Sequence, residues 1–148
     1  MPSPTGHRHV TLICGPPCAG KTTYVHQHRQ PGDLVLDADD IARRLGSPAL
    51  WDHPMEIAAQ AQEVMANAMA RVARMTSGTA WVIRSAPEAA ERLWLARVLG
   101  AGQIIVLLPS RVVLMQRARS RPDPAGTMRV IRQWHARWQP SPCDRVIR

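Results

Sequence analysis

Lysine is almost absent from this chain. Among 148 residues there is a single lysine, Lys21, against eighteen arginines. That lysine lies in the octet at residues 15–22, which fits the pattern G-x-x-x-x-G-K-[ST] of a phosphate-binding loop. In such a loop the backbone N–H groups surround the phosphates, and the lysine acts as a compact point charge that the bulkier guanidinium of arginine does not replace. The one position that has kept lysine therefore indicates nucleoside triphosphate binding.

The residues on either side of the octet have the order that a phosphate-binding loop requires. The apolar run at residues 9–14 predicts a buried strand, and residues 21–28 predict the start of a helix, whose N-terminal N–H groups would meet a phosphate. An ordinary glycine- and proline-rich turn is the competing interpretation. We predict that the Thr22 hydroxyl also binds Mg²⁺. The predicted nucleotide-binding residues are Gly15, Pro16, Pro17, Cys18, Ala19, Gly20, Lys21, Thr22 and Thr23.

Cysteines and long apolar runs are also scarce. The three cysteines, Cys14, Cys18 and Cys143, have no zinc-binding spacing, and their odd number favours a reducing compartment. The longest aliphatic run, residues 104–108, is too short to span a bilayer, and no N-terminal stretch has the apolar length of a signal peptide. We therefore expect a soluble, cytoplasmic protein with no membrane partner.

Acidic residues are few, with 11 Asp and Glu against 19 Lys and Arg, so the net charge is +8. A surface rich in arginine favours polyanions such as nucleotides, nucleic acid or phosphorylated substrates. A genomic preference for arginine and alanine codons is the alternative, but it does not explain the excess of arginine over acid. The length predicts one domain, residues 1–148, with a core of its own, and no pattern indicates an oligomeric state.

Alternating apolar and turn-forming segments predict an α/β fold. Its mainly parallel sheet of about four to five strands would lie between helices. Residues 47–54 are expected to form a loop in which Trp51, Asp52 and His53 are exposed or cap the next helix. An apolar stripe formed by Ile57, Ala61, Val64, Ala68 and Val72 is expected on the long helix, widened by two methionines. The predicted strands are 9–14, 34–36, 80–84 and 103–108. The first predicted helix begins at residue 21, and the others are 41–45, 55–75, 87–99, 110–119 and 128–138.

An acidic cluster follows the second predicted strand. Asp37, Asp39 and Asp40 would lie where the strand ends, and open α/β sheets bind ligands at that edge. Asp39 and Arg43 are four residues apart on the following helix and share a face, so Asp39 is the candidate base for an acceptor hydroxyl. Asp37 is the second candidate, or it holds a metal-bound water. The alternative role for either residue is capping of the helix.

A run of arginines precedes a loop rich in proline and glycine. Arg117, Arg119 and Arg121 end the fifth helix, and residues 121–126 are expected to be flexible. This arrangement suits a lid that closes over a triphosphate, with Arg117 or Arg121 as an arginine finger. The competing interpretation is a solvated basic face.

The order of these parts resembles the 5′-kinase domain of polynucleotide kinases and, more widely, the zeta-toxin-like P-loop kinases. The matching segments are the phosphate-binding loop, residues 34–40 with their helix, and the arginine helix after the fourth strand. The resemblance implies a P-loop NTPase fold with an arginine-rich lid, and ATP and Mg²⁺ as cofactors. It also implies that Asp39 activates the acceptor, that Lys21 binds the phosphates, and that Arg117 with Arg121 contacts the transferred phosphoryl group.

The third strand departs from that family. It ends at Arg84, Ser85 and Ala86, where such kinases commonly have an acidic or polar pair, so no carboxylate is available there for Mg²⁺. The ion would then rest on Thr22, the phosphates and water, with Asp37 as a further ligand. Arg84 is expected either to bind a substrate phosphate or to pair with an aspartate of the acidic cluster.

Three functions remain open at this stage. The first is an ATP-dependent kinase of a nucleic-acid 5′-hydroxyl or of a modified base in DNA. The second is a kinase of a small molecule, such as a nucleoside, nucleotide or sugar, with a closed acceptor pocket built from residues 47–54 and the long helix. The third is an ATP-binding module without catalysis, since fold alone does not determine substrate. Arg43, Arg84 and Asp37 are the candidate acceptor-binding residues.

Overall fold

The computed structural model describes residues 6–49 and 53–148. Within those ranges the chain forms five strands and six helices. The strands are β1 Arg8–Cys14, β2 Leu34–Asp37, β3 Gly78–Arg84, β4 Gln103–Leu107 and β5 Asp144–Ile147. The helices are α1 Lys21–His28, α2 Ala38–Arg44, α3 Met55–Arg74, α4 Ala89–Leu99, α5 Arg111–Ala118 and α6 Pro124–Arg137. Within the same ranges, none of the helices combines the length and apolar character needed to cross a membrane.

The five strands form one sheet in the order β2-β3-β1-β4-β5, and every pairing is parallel. This confirms the predicted α/β fold of the P-loop NTPase type. Cys14 at the end of β1 pairs with Arg84 of β3, while Asp37 of β2 pairs with Ile83 of the same strand. The phosphate-binding loop, the acidic cluster and Arg84 therefore follow three neighbouring strands at one edge of the sheet, where open α/β sheets bind ligands.

Both faces of the sheet are covered, so the central strand is buried on both sides. Leu12 and Val82 face a core that includes Met65 of α3 and Leu95 of α4. On the opposite face, Ile13 and its neighbours pack with Val25 of α1, Leu114 of α5 and Ile131 of α6. Continuous apolar strands of this kind are expected where helices lie on both faces of a parallel sheet.

The stripe predicted on α3 is wrong at one position. Ala61, Ala68 and Val72 are buried as expected, but Val64 is 39% exposed. Met65 and Met69, which were expected to widen the stripe, are buried together with those three residues. The unbranched methionine side chain fills irregular gaps in a core.

The predicted flexible loop at residues 121–126 is wrong at its C-terminal end, because α6 begins at Pro124 and not near residue 128. Asp123 caps this helix by accepting a hydrogen bond from the Gly126 N–H at 3.0 Å. Proline at the first helical position does not interrupt the hydrogen-bonding pattern. A Cβ at Gly126 would lie 2.0 Å from the capping carboxylate, so the missing side chain makes room for the cap. The connection between α5 and α6 is therefore shorter than predicted.

Strand β5 was not among the strands located from the sequence. It is four residues long, with the sequence Asp-Arg-Val-Ile, and follows a proline-containing segment. It is recognised by its pairing, in which Asp144 lies beside Ile104 and Ile147 beside Leu107 of β4. A segment this short and polar becomes a strand only because β4 offers an unpaired edge.

Candidate active site

The phosphate-binding loop is shaped by two glycines. A Cβ at Gly15 would lie 2.6 Å from the Leu107 carbonyl oxygen, so the loop can leave β1 against β4 only without a side chain there. Gly20 has φ +88°, a left-handed conformation that favours glycine, and α1 starts at the next residue. The first N–H groups of α1 are thus directed to the inside of the loop, where an anion can bind.

Lys21 is held by the loop itself. Its Nζ donates to the carbonyl oxygens of Gly15 at 2.6 Å and Pro16 at 3.1 Å. Burial lowers the pKa of this ammonium group from 10.5 to about 8, although nearby acidic groups act in the opposite direction. The charge is therefore partly desolvated and lacks a counter-ion in direct contact among the described residues, which is an arrangement that triphosphate oxygens would stabilise.

Thr22 and Asp37 lie together beside Lys21. The Thr22 hydroxyl donates to Asp37 Oδ2 at 3.1 Å, and Asp37 Oδ1 accepts the Asp39 backbone N–H at 3.0 Å, which caps α2. Asp37 therefore has the capping role that was the alternative, and it also faces the phosphate-binding loop. One hydroxyl and one carboxylate suit Mg²⁺, which usually keeps several waters and takes few protein ligands in addition to phosphates. In the described ranges no cluster of three or more His, Cys, Asp or Glu could hold a metal by itself.

Asp39 and Arg43, which were predicted to share a face of α2, both line one cavity, but no ion pair joins them among the described residues. Instead Asp39 Oδ1 lies 2.9 Å from Nε2 of His53, while Arg43 and Arg44 contact the carboxylate of Asp40 at 3.7 and 3.0 Å. Burial raises the pKa of the Asp39 carboxyl, with the His53 hydrogen bond opposing this change and the charge of Asp37 adding to it. A raised pKa brings a carboxylate closer to the range in which it accepts a proton effectively.

His53 was expected to be exposed or to cap a helix, and both expectations are wrong, because its side chain is only 7% exposed and the N-cap of α3 is Pro54, with no side-chain cap hydrogen bond. Trp51 and Asp52, which carried the same expectation, lie outside the described residues.

A cavity of about 440 Å³ brings most of the predicted site residues together. Residues 17–23 of the phosphate-binding loop form one side, and Ile83 to Ala86 at the end of β3 form another. Gly15 and Pro16 contribute through the carbonyl groups that hold Lys21. The charged groups lining this cavity that were predicted from the sequence are Lys21, Asp37, Asp39, Arg43, Arg84 and Arg121.

The side chain of Arg84 lies at the cavity wall and makes no hydrogen bond or ion pair with any residue that the structure describes. Asp37 is bonded to Thr22, Asp39 to His53 and Asp40 to two other arginines. The alternative in which Arg84 pairs with the acidic cluster is therefore not observed. A partly buried guanidinium without a partner is a binding group for an anion.

Three cavity residues were missed from the sequence because each comes from a separate helix. Gln62 lies on α3, Glu91 on α4 and Thr127 on α6. Thr127 is 1% exposed, and its hydroxyl has no hydrogen-bond partner among the described residues. The end of β3 has no carboxylate, but Glu91 brings one to the cavity. No local pattern marks these residues, since only the packing of the helices on the sheet brings them to the cavity.

Arg117 and Arg121 occupy different places. Arg117 Nη1 donates to the Cys18 carbonyl at 2.9 Å, so α5 is attached to the phosphate-binding loop. Arg117 lines a second, more open cavity of about 890 Å³ beside Tyr24 and Val113, on the other side of that loop. Arg121 lines both cavities. The two cavities share residues 18–20, Thr23 and Arg121 in their linings.

Comparison with known proteins agrees with this geometry. The family model described as AAA domain, AAA_33, matches residues 10–141, which include the phosphate-binding loop, the acidic cluster and the cavity. None of the curated proteins compared matches the chain.

Many solved structures share the fold, among them the following three. The tunicamycin resistance protein of Deinococcus radiodurans is 22% identical with a TM-score of 0.61, over 95% of this chain and 86% of that one. A gluconokinase from Sinorhizobium meliloti 1021 is 15% identical with a TM-score of 0.57, over 94% and 81% of the two chains. A candidate kinase from Chloroflexus aurantiacus j-10-fl is 15% identical with a TM-score of 0.64, over 97% and 88%.

Proposed function

The chain belongs to the AAA domain family AAA_33, and from this premise we propose that it is an ATP-dependent kinase that transfers the γ-phosphoryl group to a hydroxyl. One observation carries the proposal: a single cavity holds the ammonium group of Lys21, the half-exposed carboxylate of Asp39 and the guanidinium of Arg84, which has no partner in the described part of the chain. These groups supply a phosphate site, a proton acceptor and an acceptor-binding cation, which are the parts that phosphoryl transfer requires. The family match and the kinases among the structural neighbours support this reaction class.

At the donor end, ATP is bound by the N–H groups of the phosphate-binding loop and by Lys21. The lysine moves its hydrogen bonds from the Gly15 and Pro16 carbonyl groups to the phosphate oxygens. Thr22 and Asp37 are the residues that would hold Mg²⁺, whose charge neutralises the phosphates. Arg117 and Arg121 bind the phosphates from the side of α5, as an arginine finger does.

At the acceptor end, Asp39 receives the hydroxyl proton. A bond forms between the acceptor oxygen and the γ-phosphorus while the bond from that phosphorus to the β,γ-bridging oxygen breaks, and ADP leaves. The proton passes from the hydroxyl to a carboxylate oxygen of Asp39. The protein contributes mainly by positioning and by charge, since this transition state needs little covalent help.

The acceptor favoured by the cavity is a small hydroxyl compound that carries an anionic group. A volume of about 440 Å³, shared with the phosphates, leaves space for a metabolite-sized acceptor. Arg84 would bind the anionic group, while Gln62 of α3 and the unsatisfied Thr127 hydroxyl offer neutral hydrogen bonds. The pocket expected for a small-molecule kinase was to be built partly from the long helix. That helix is α3, and it supplies Gln62 to this cavity. One structural neighbour carries the name of a small-molecule kinase, a gluconokinase.

A nucleic acid is the second candidate acceptor, as a 5′-hydroxyl end or a modified base in DNA, in a polynucleotide kinase-like reaction. The net charge of +8 favours it, because a basic surface attracts polyanions over long distances.

The three free cysteines, Cys14, Cys18 and Cys143, favour a reducing compartment, so we place either reaction in the cytoplasm.

Labelled ATP tested against a panel of acceptors decides between these functions. The panel consists of gluconate, a nucleoside, a nucleoside 5′-monophosphate and a single-stranded oligonucleotide with a 5′-hydroxyl. We expect label on a small anionic acceptor, and loss of that label in an Arg84→Gln variant through a raised KM for the acceptor. Label on the oligonucleotide alone would favour the second candidate. ATP binding without labelling of any acceptor would identify a binding module and contradict the proposed reaction.

A further inference from the structure

A buried histidine lies directly behind the proposed base. The His53 side chain is 7% exposed, and its Nε2 is 2.9 Å from Asp39 Oδ1. Its other ring nitrogen, Nδ1, is 2.7 Å from the hydroxyl oxygen of Ser47, a residue that is itself 7% exposed. We propose that His53 and Ser47 are positioning residues that hold the Asp39 carboxylate in the orientation needed to accept the substrate proton. This inference rests on the proposed function, in which Asp39 is the base.

The partners of His53 determine which of its ring nitrogens donates. The ionised Asp39 carboxylate can only accept a hydrogen bond, so Nε2 carries a hydrogen and donates it to Oδ1. Ser47 Oγ accepts the Ala49 backbone N–H at 3.3 Å and has a hydrogen of its own that it can donate to Nδ1. Asp39 thus fixes His53 as its donor, and Ser47 supports the ring from the opposite side.

The bond from His53 leaves one carboxylate oxygen of Asp39 available. Oδ1 is occupied by His53, while Oδ2 makes no hydrogen bond within residues 6–49 and 53–148. Asp39 lines the cavity. A carboxylate fixed through one oxygen presents the other at a constant angle, and small errors in the placement of a reacting group can reduce a rate by about 100-fold.

The residue types are those of a serine hydrolase triad, but their order relative to the cavity is reversed. Asp39 lines the cavity, whereas Ser47 is buried at the far end and does not line it. A buried hydroxyl that donates to the imidazole has no access to a substrate carbonyl, so it is not a nucleophile. The arrangement therefore serves to orient Asp39.

The same hydrogen bonds connect two helices that border the cavity. Asp39 lies in the first turn of α2, and His53 lies two residues before the first residue of α3. Since α3 also carries Gln62, the bond between His53 and Asp39 fixes the position of the Asp39 carboxylate relative to Gln62, which lines the acceptor site.

A kinetic comparison of two variants at position 53 tests this inference. His53→Phe keeps a ring of similar size but removes the donor, whereas His53→Gln keeps an N–H that can reach Asp39. We expect His53→Phe to lower kcat by about 10–100-fold, the range seen when an orienting partner is removed, with an unchanged KM for ATP. We expect His53→Gln to recover most of that loss. The acceptor is the panel member with the highest wild-type turnover. Equal kcat values for wild type and His53→Phe would overturn the inference.

A double-variant cycle separates orientation from a general loss of structure. In an Asp39→Asn background, His53→Phe should cause no further decrease in kcat, because the group that it orients has already been disabled. A merely structural histidine would reduce kcat by the same factor in both backgrounds, and that result would contradict the role proposed here.

Nuclear magnetic resonance of the histidine rings tests the same contacts without any acceptor. In the ¹⁵N-labelled wild-type protein, the ring assigned through its absence in His53→Gln should carry a hydrogen on Nε2. Ser47→Ala should change the Nδ1 chemical shift because it removes the hydroxyl, and Ser47→Thr should retain it because the hydroxyl remains. A ring with no hydrogen on Nε2 in the wild type would refute the network even if the protein proves to be a kinase. A hydrogen on Nε2 combined with no phosphoryl transfer would refute only the proposed function.

Discussion

At the scale of single residues, Lys21 carries a charge that its surroundings disfavour. Its ammonium group donates to two carbonyl groups of its own loop, and its pKa is lowered to about 8 by burial. A lysine pKa below its usual 10.5 means that the charged form is disfavoured in the folded protein. The resulting cost to stability is fully present below about pH 8 and disappears as the pH rises towards 10.5.

The lowered pKa of Lys21 predicts a pH dependence of nucleotide binding. Triphosphate oxygens favour the charged lysine, so binding takes up a proton once the pH exceeds about 8. We expect the affinity for ATP, measured by calorimetry in EDTA, to be nearly constant from pH 6.5 to about 7.5 and to fall above pH 8 by up to about tenfold per unit. Lys21→Ala should bind weakly and lose this inflection. An affinity that is constant between about pH 7 and 9.5 would contradict the proposed contact.

Arg117 and Arg119 provide a matched pair of arginines on one segment. Arg117 donates to the Cys18 carbonyl, whereas Arg119 is exposed in the turn that follows α5. If Arg117 contacts the transferred group, Arg117→Ala should lower kcat by about 10³-fold or more, while Arg119→Ala should leave it nearly unchanged. Steady-state kinetics with both variants provides the measurement. An equal, small effect of the two substitutions would identify this segment as a solvated basic face.

At the scale of secondary-structure elements, the end of the sheet is held by one buried arginine. Arg92 of α4 donates to both oxygens of Asp144 in β5, at 3.1 and 2.7 Å, and both side chains are fully buried. It also donates to the carbonyl groups of Ala86 and Pro87, and its guanidinium lies 4.6 Å from the ring centre of Trp138. Because Ala86 lines the cavity, this ion pair connects the unforeseen strand to the wall of the proposed active site.

Asp144→Asn tests the contribution of that buried pair. The substitution leaves the Arg92 charge buried without a counter-ion, so we expect the free energy of unfolding to fall by about 3–5 kcal/mol. The control is Glu88→Gln, which removes the partner of Arg137 from an ion pair whose side chains are 43% and 59% exposed. That variant should lose less than about 1 kcal/mol. Urea denaturation measures both free energies of unfolding. Similar losses in the two variants would show that the buried ion pair stabilises the fold no more than the exposed one.

The elements also show which parts of the fold a sequence can predict. The location of Lys21, Asp37 and Asp39 at one edge of the sheet could be predicted because a loop motif and a strand end are local features of the chain. Arg92 was missed because a buried arginine in an amphipathic helix resembles a surface one until its distant partner is known. His53 and Thr127 were missed for the same reason, since their environment is formed by contacts between separate elements. The start of α6 was different, because the local signal of Asp123 and Pro124 was present but was attributed to a loop.

At the scale of the whole molecule, the net charge of +8 and the size of the cavity favour different acceptors. The charge acts at long range and is screened by salt, whereas binding inside the cavity depends on a few direct contacts. Salt dependence therefore separates the two candidates without knowledge of the exact acceptor.

For a small acceptor bound through Arg84, we expect the association constant to depend only weakly on salt concentration, because a small molecule has no condensed counterions to release. In a plot of the logarithm of the association constant against the logarithm of salt concentration, a nucleic acid with three or more contacted phosphates would give a slope steeper than about −2. Titrations of a nucleoside monophosphate and of a single-stranded oligonucleotide at several salt concentrations measure these slopes. A steep slope together with turnover of the oligonucleotide would contradict the small-acceptor proposal.

The central claim is that Asp39, opposite the lysine of the phosphate-binding loop, accepts the proton of a hydroxyl as it attacks ATP. Its most direct measurement is single-turnover transfer of a labelled γ-phosphoryl group by the wild type, Asp39→Asn and Asp40→Asn, with ATP affinity measured in parallel. Asp40 is the matched control because it is adjacent in sequence but pairs with Arg43 and Arg44. We predict that Asp39→Asn binds ATP normally and transfers about 10²–10⁴-fold more slowly, while Asp40→Asn retains wild-type transfer. Undiminished transfer by Asp39→Asn would contradict the account.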